Sequence, residues 1–147
     1  MVELLLVDVI LRIGIAALLG SLIGLERQLR GISVGFRTNA LVCLGAALFT
    51  IVSIQFSILD AGTDISRVAA GIVTGIGFLG AGAIFLDKKG LHGFTTAANI
   101  WVVAAIGMMA GIGEFAVSII ATVFILAILF IGKFLEKKLI PKKKFLW

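Results

Sequence analysis

Five apolar runs of about 18 to 22 residues, separated by short polar stretches, constrain this chain more than any other feature. A helix needs about 20 residues to cross a hydrocarbon core of ~30 Å at ~1.5 Å per residue, so each run can span a bilayer. They cover about 4–25, 38–59, 68–86, 95–112 and 115–134. No run alternates with period two, which argues against a β-barrel. The expected fold class is all-α: a polytopic membrane helix bundle of five transmembrane helices. It is read as one domain, 1–134, followed by a basic cytoplasmic tail, 135–147. Only 14% of the residues are charged, against about a quarter in soluble domains. The start, MVELLLVDVI, carries an acid and no base ahead of its apolar run. Secretory signals begin with positive charge, so this first run is expected to be retained as a helix.

Eleven of the thirteen Lys and Arg fall on one side of the alternating topology, in 26–37, in 87–94 and from Lys133 to the C-terminus. Arg67 lies opposite and Arg12 within the first run. The positive-inside rule then puts the N-terminus outside and the C-terminus inside. Positives that follow membrane sidedness this closely point to anionic lipid headgroups and argue against nucleic acid. One cysteine, Cys43, lies in an apolar run and is expected to be a small packing residue.

The third run holds five glycines in twelve residues: Gly71, Gly75, Gly77, Gly80 and Gly82. In a bilayer a helix forms despite them, because the backbone has no other partner for its hydrogen bonds. Glycine then permits close approach by other helices. At ~100° per residue, Gly71, Gly75 and Gly82 share one side while Gly77 and Gly80 lie on another. The expectation is a helix packed on both faces, in the middle of the bundle. Further GxxxG pairs stand at Gly20 and Gly24 and at Gly107 and Gly111, marking further packing sites.

Polar residues inside apolar runs are the functional candidates. Asp8 and Arg12 are spaced i, i+4 and can pair on one helix face. They read either as an ion or proton path with a cation site at Asp8, or as a structural pair snorkelling to the outer interface. The stretch 26–39 is the richest in polar groups. It reads either as an orienting, lipid-attracting loop or as a cytoplasmic mouth or partner site in which Glu26, Arg27, Arg37 and Asn39 form a network. Asn99 requires a partner within the bilayer, and Thr74 and Gln55 are candidates. His92 reads as a solvated loop histidine. No catalytic pair, phosphate loop or metal-ligand spacing is present. No enzyme activity, cofactor or metal site is therefore expected.

Four ordered motifs carry a family resemblance: IGLERQ at 23–28, GFRTNALV at 35–42, GIGFLGAG at 75–82 and TAANIW at 96–101. Together they resemble the MgtC/SapB family of bacterial membrane proteins, over about residues 4–130. The resemblance implies a multi-pass protein of the bacterial inner membrane. It transfers motif positions Glu26, Arg27, Arg37, Thr38, Asn39, Gly80 and Asn99. Members of the MgtC type are associated with growth under Mg²⁺ limitation, survival inside macrophages, inhibition of the F-type ATP synthase and changes in membrane potential. Two departures separate this chain from that virulence type. The sequence runs to Trp147, so the soluble C-terminal domain of that type is not expected in it, and Phe94 or Thr95 stands where that type has Asn before TAA. The expected function is regulation or interaction in Mg²⁺ homeostasis or membrane energetics, with a small Mg²⁺, K⁺ or H⁺ transporter or channel as the alternative. A homo-oligomer and a membrane-protein partner are also expected.

Overall fold

The computed structural model describes residues 5–139 apart from Ala61 and Lys89. The basic residues Lys142, Lys143 and Lys144 and the terminal Trp147 lie outside this range. Five helices follow in order: α1 (Leu6–Leu29), α2 (Phe36–Leu59), α3 (Ser66–Gly82), α4 (Phe94–Ile112) and α5 (Phe115–Leu139). The chain is an all-α bundle, with α1, α2, α4 and α5 long and apolar enough to cross a membrane and α3 a shorter apolar helix. Large apolar side chains such as Phe49, Phe78, Phe124 and Phe130 cover its outside, while the core is built mainly of Ala, Ile, Val and Cys. That inversion of a soluble protein is what lipid as solvent selects.

Helix α2 is the centre of the bundle. Its small face of Asn39, Cys43, Ala46, Ala47 and Thr50 is buried and receives glycines from two neighbours. On α1, a Cβ at Gly20 would lie 2.6 Å from both the Asn39 carbonyl oxygen and Cys43 Cβ, and one at Gly24 would lie 2.7 Å from Phe36 Cα. On α4, a Cβ at Gly107 would fall on the Cys43 carbonyl oxygen, and one at Gly111 would lie 2.8 Å from the Ala47 carbonyl oxygen. Cys43, fully buried, is thus held between a glycine of α1 and a glycine of α4. Helix α5 closes the bundle against this core with Ile125, Leu126 and Leu129. Its buried Ser118 and Thr122 hydroxyls donate to carbonyls one turn back, Glu114 at 2.9 Å and Ser118 at 2.8 Å. That keeps hydroxyls satisfied inside an apolar helix face.

The central place expected for the glycine-rich third helix is not what the structure has. Only Ile72 and Gly80 of α3 are buried. A Cβ at Gly71, Gly75, Gly77 or Gly82 would meet nothing within 4 Å, whereas one at Gly80 would touch Ala97 of α4 at 3.6–3.8 Å. Glycine permits close approach but does not compel it. Of its glycines only Gly80 meets α4, and α3 otherwise packs through Ile72 beside Ala104 of α4 and Ala46 of α2.

The same run also ends early. Residues 85–87 and 90–92 form a β-hairpin, β1 (Phe85–Asp87) paired antiparallel with β2 (Gly90–His92), where apolar helix followed by loop was expected. Ile84, Phe85 and Leu86 suit a strand as well as a helix. The return into α4 requires Gly93, at φ 97°, where a side chain would collide with the Ala83 carbonyl. His92 Nε2 lies 3.0 Å from Asp87 Oδ1 across the hairpin. At the same end of the bundle α1 and α5 outrun their apolar stretches, because ERQL and EKKL are good helix formers.

Candidate functional site

The polar groups gather where α1 ends and α2 and α4 begin. Because Gly24 admits the start of α2, Asn39 is pressed into the bundle and is fully buried. Its Nδ2 donates to the Val34 and Gly35 carbonyls at 3.1 and 2.8 Å, securing the entry into α2. Its Oδ1 accepts from Asn99 Nδ2 of α4 at 2.7 Å. One helical turn before Asn99, Thr96 accepts a hydrogen bond at 3.0 Å from Nη2 of Arg27, a side chain on α1 that is 95% buried. Glu26 pairs with Arg30 at i, i+4, and Arg30 also faces the Phe130 ring of α5 at 5.9 Å.

Among the described residues, and apart from Glu26 Oε1, which is in the ion pair with Arg30, three buried atoms of this cluster have no hydrogen-bond partner: Arg27 Nε, Asn99 Oδ1 and Glu26 Oε2. One is a donor and two are acceptors. An unmatched buried polar group costs about 1–3 kcal/mol. The arrangement therefore has unmet capacity for water, a cation's hydration shell or a polar group of another molecule.

The structure brings together some of the residues singled out in the sequence, through connections the sequence did not indicate. Glu26, Arg27, Asn39 and Asn99 come together. Arg37 and Thr38 do not: both are exposed and line a separate polar cavity of about 380 Å³ with Gln28 and Ser33. Asn99 binds Asn39 rather than the candidates Thr74 and Gln55. The Thr74 hydroxyl bonds its own helix at Ala70, and Gln55 is exposed. Thr96 is the member that sequence reasoning left out of the network, while Arg30 pairs with Glu26 as their i, i+4 spacing leads one to expect. The i, i+3 spacing of Thr96 and Asn99, which places both on one face of α4, was the available signal for Thr96.

Asp8 and Arg12 do not pair. Asp8 is exposed, and Arg12 Nη1 donates to the Gly111 carbonyl at the end of α4 at 2.6 Å. The last carbonyls of a helix lack internal partners and attract cations. Gly113, at φ 94°, ends α4 with its own Cα bare beneath the guanidinium, where a Cβ would lie 3.2 Å from Arg12 Nη2. Arg12→Leu is expected to destabilise the chain by about 1.5–3 kcal/mol, the usual worth of a hydrogen bond to a charged group. Asp8→Asn should change little. Thermal melts of both variants in mild detergent check this.

Among the described residues no three His, Cys, Asp or Glu side chains come together. Fold and site define a polytopic helical membrane protein with a buried Arg–Thr and Asn–Asn network at one membrane face. The chain belongs to the MgtC family, whose model matches residues 13–138. It is 44% identical over 128 residues to "Putative magnesium transporter YhiD" of Escherichia coli (strain K12), covering 83% of this chain and 59% of that protein. It is 49% identical over 113 residues to "Protein MgtC" of Brucella abortus (strain 2308), covering 77% and 46% respectively. Against "Protein MgtC" of Salmonella typhimurium (strain LT2) it is 46% identical over 124 residues, covering 84% and 52%. The chain thus spans about half the length of the curated relatives it matches. No solved structure matches it.

Proposed function

We propose that this chain is a regulatory membrane protein of Mg²⁺ homeostasis, acting through the polar network on a membrane-protein partner. It lies in the bacterial inner membrane with the N-terminus out, as its basic residues suggest, so the network faces the cytoplasm. The observation that carries this reading is the apolar core between the two polar ends of the bundle. From Arg27 and Asn39 at one end to Arg12 at the other, the buried interior is lined by Ile23, Cys43, Val103, Ala47, Ile106 and Ala110, and the buried Thr50, Ser118 and Thr122 hydroxyls there are taken up by carbonyls one turn back. A conducting path needs polar groups or water through that layer. A sensor or docking site needs only the end where polar atoms stand unmatched.

The transporter reading is the second one. It draws support from the printed name of the E. coli relative and from the two unmatched acceptors, Glu26 Oε2 and Asn99 Oδ1. Mg²⁺ takes about six oxygen positions and dehydrates reluctantly, so it would pass this site largely hydrated. Two measurements separate the readings. Under Mg²⁺ limitation, crosslinking in bacterial membranes should join the chain to a different membrane protein, with a yield that falls when Mg²⁺ is restored. Self-crosslinks alone would overturn the regulatory reading. In proteoliposomes, Mg²⁺ flux above that of empty vesicles, and lost in Glu26→Gln, would establish transport instead.

A further inference from the structure

Because α3 touches the bundle chiefly through α4, an apolar cavity of about 640 Å³ opens between α2 and α3. Its walls run from Thr38 through Gly45 to Phe49 on α2 and from Val68 through Gly75 to Leu79 on α3. The two helices run antiparallel, with the Ser53 hydroxyl of α2 bonded to the Ile65 carbonyl at the start of α3. Thr38 and Leu79 therefore mark the same end. Each wall advances eleven residues, or about 16 Å at ~1.5 Å per residue, which is the depth of one leaflet in a core of ~30 Å. A helix of a second copy would need a seat across both leaflets. An acyl chain needs only one.

At its Thr38 end the apolar cavity meets the polar one, since Thr38 lines both. The polar cavity is lined by Gln28, Ser33 and Arg37 among others. Arg37 forms no ion pair within the described residues. The positive end of the α2 dipole points the same way. An anionic group above an acyl-chain groove one leaflet deep is the chemistry of a phospholipid.

We propose that α2 and α3 hold one anionic phospholipid, with its phosphate at Ser33 and Arg37 and an acyl chain between Gly45 and Gly75. The site is separate from the Arg27–Asn99 network and stands whether or not the chain is regulatory.

The test uses the full chain, reconstituted in bilayers of equal phosphatidylglycerol and phosphatidylcholine, extracted in mild detergent and weighed by native mass spectrometry. The expected result is about one retained phosphatidylglycerol per chain, in preference to phosphatidylcholine. Arg37→Gln should reduce that preference about fivefold, the weight of one surface charge. Gly75→Leu, whose side chain projects into open space and so leaves the fold intact, should abolish retention. Gly77→Leu, on the other face of α3, should not. Equal retention of both lipids by the unmodified chain overturns the proposal, as does retention unchanged in Gly75→Leu. If Gly75→Leu instead turns a dimer into a monomer with lipid retention unchanged, a second copy fills the groove and the lipid assignment falls.

Discussion

Gly107→Ala is expected to destabilise this protein by about 3 kcal/mol or more, the upper range of overpacking penalties. The added methyl would land on the Cys43 carbonyl of α2, with Cys43 C at 2.9 Å and Ala46 Cβ at 3.0 Å. These are mostly backbone atoms, which cannot rotate away, so α4 must move off α2 as a body. On its opposite side Cys43 faces Gly20 of α1, leaving α2 no direction in which to yield. A drop of roughly 10 °C in the detergent melting temperature should follow, at about 2–4 °C per kcal/mol for a chain of this size. Gly77→Ala is the matched comparison. Its Cβ would meet nothing within 4 Å, so the substitution should be neutral or stabilise by up to ~1 kcal/mol through helix propensity. Equal losses from the two would mean that α2 and α4 are not packed as described.

The second large effect is expected at the Asn39–Asn99 pair. Asn39→Leu removes the donor to the Val34 and Gly35 carbonyls and leaves Asn99 with neither end of its amide matched. Stranded buried groups cost about 1–3 kcal/mol each. In a membrane the separated helices also find partners, which brings single inter-helix bonds nearer ~0.6–1.7 kcal/mol. A total loss of about 2–4 kcal/mol is expected. Asn99→Leu in the same chain should then recover part of it, because the double variant buries no orphaned amide. A coupling of about 1–2 kcal/mol in the double-mutant cycle checks the pair. Strict additivity would show that the two amides do not meet.

Helix number and approximate position were legible because bilayer thickness fixes how long an apolar run must be. The GxxxG pairs at 20/24 and 107/111 were legible for a similar reason: two small residues one turn apart make a flat strip that another backbone can occupy. The denser glycines of α3 were misleading. Glycine removes an obstacle, but only the arrangement of the other helices decides whether anything uses the gap. The hairpin at 85–92 was hidden because its strand residues continue the apolar character of α3. The site was half legible. Asn39 and Asn99 stand out as amides in apolar helices, but they are 60 residues apart, and pairing them requires knowing that α2 lies against α4. Arg12 had a sequence neighbour of opposite charge in Asp8. It is turned instead to a helix end that no local pattern could place beside it.

Arg12 and Arg27 stand fifteen positions apart on α1, and their partners Thr96 and Gly111 stand fifteen positions apart on α4. The pairing is crossed, Arg12 with Gly111 and Arg27 with Thr96, so the two antiparallel helices are fastened at both ends by rungs about 22 Å apart along each axis. Sliding one helix past the other by a single residue would break both fastenings together. Together with the seats of Gly20 and Gly107 on either side of Cys43, which align both helices on α2, the two arginines act as a gauge block. A thinner or thicker bilayer must then be met by tilting α1 and α4 as one strut, since their relative height cannot change.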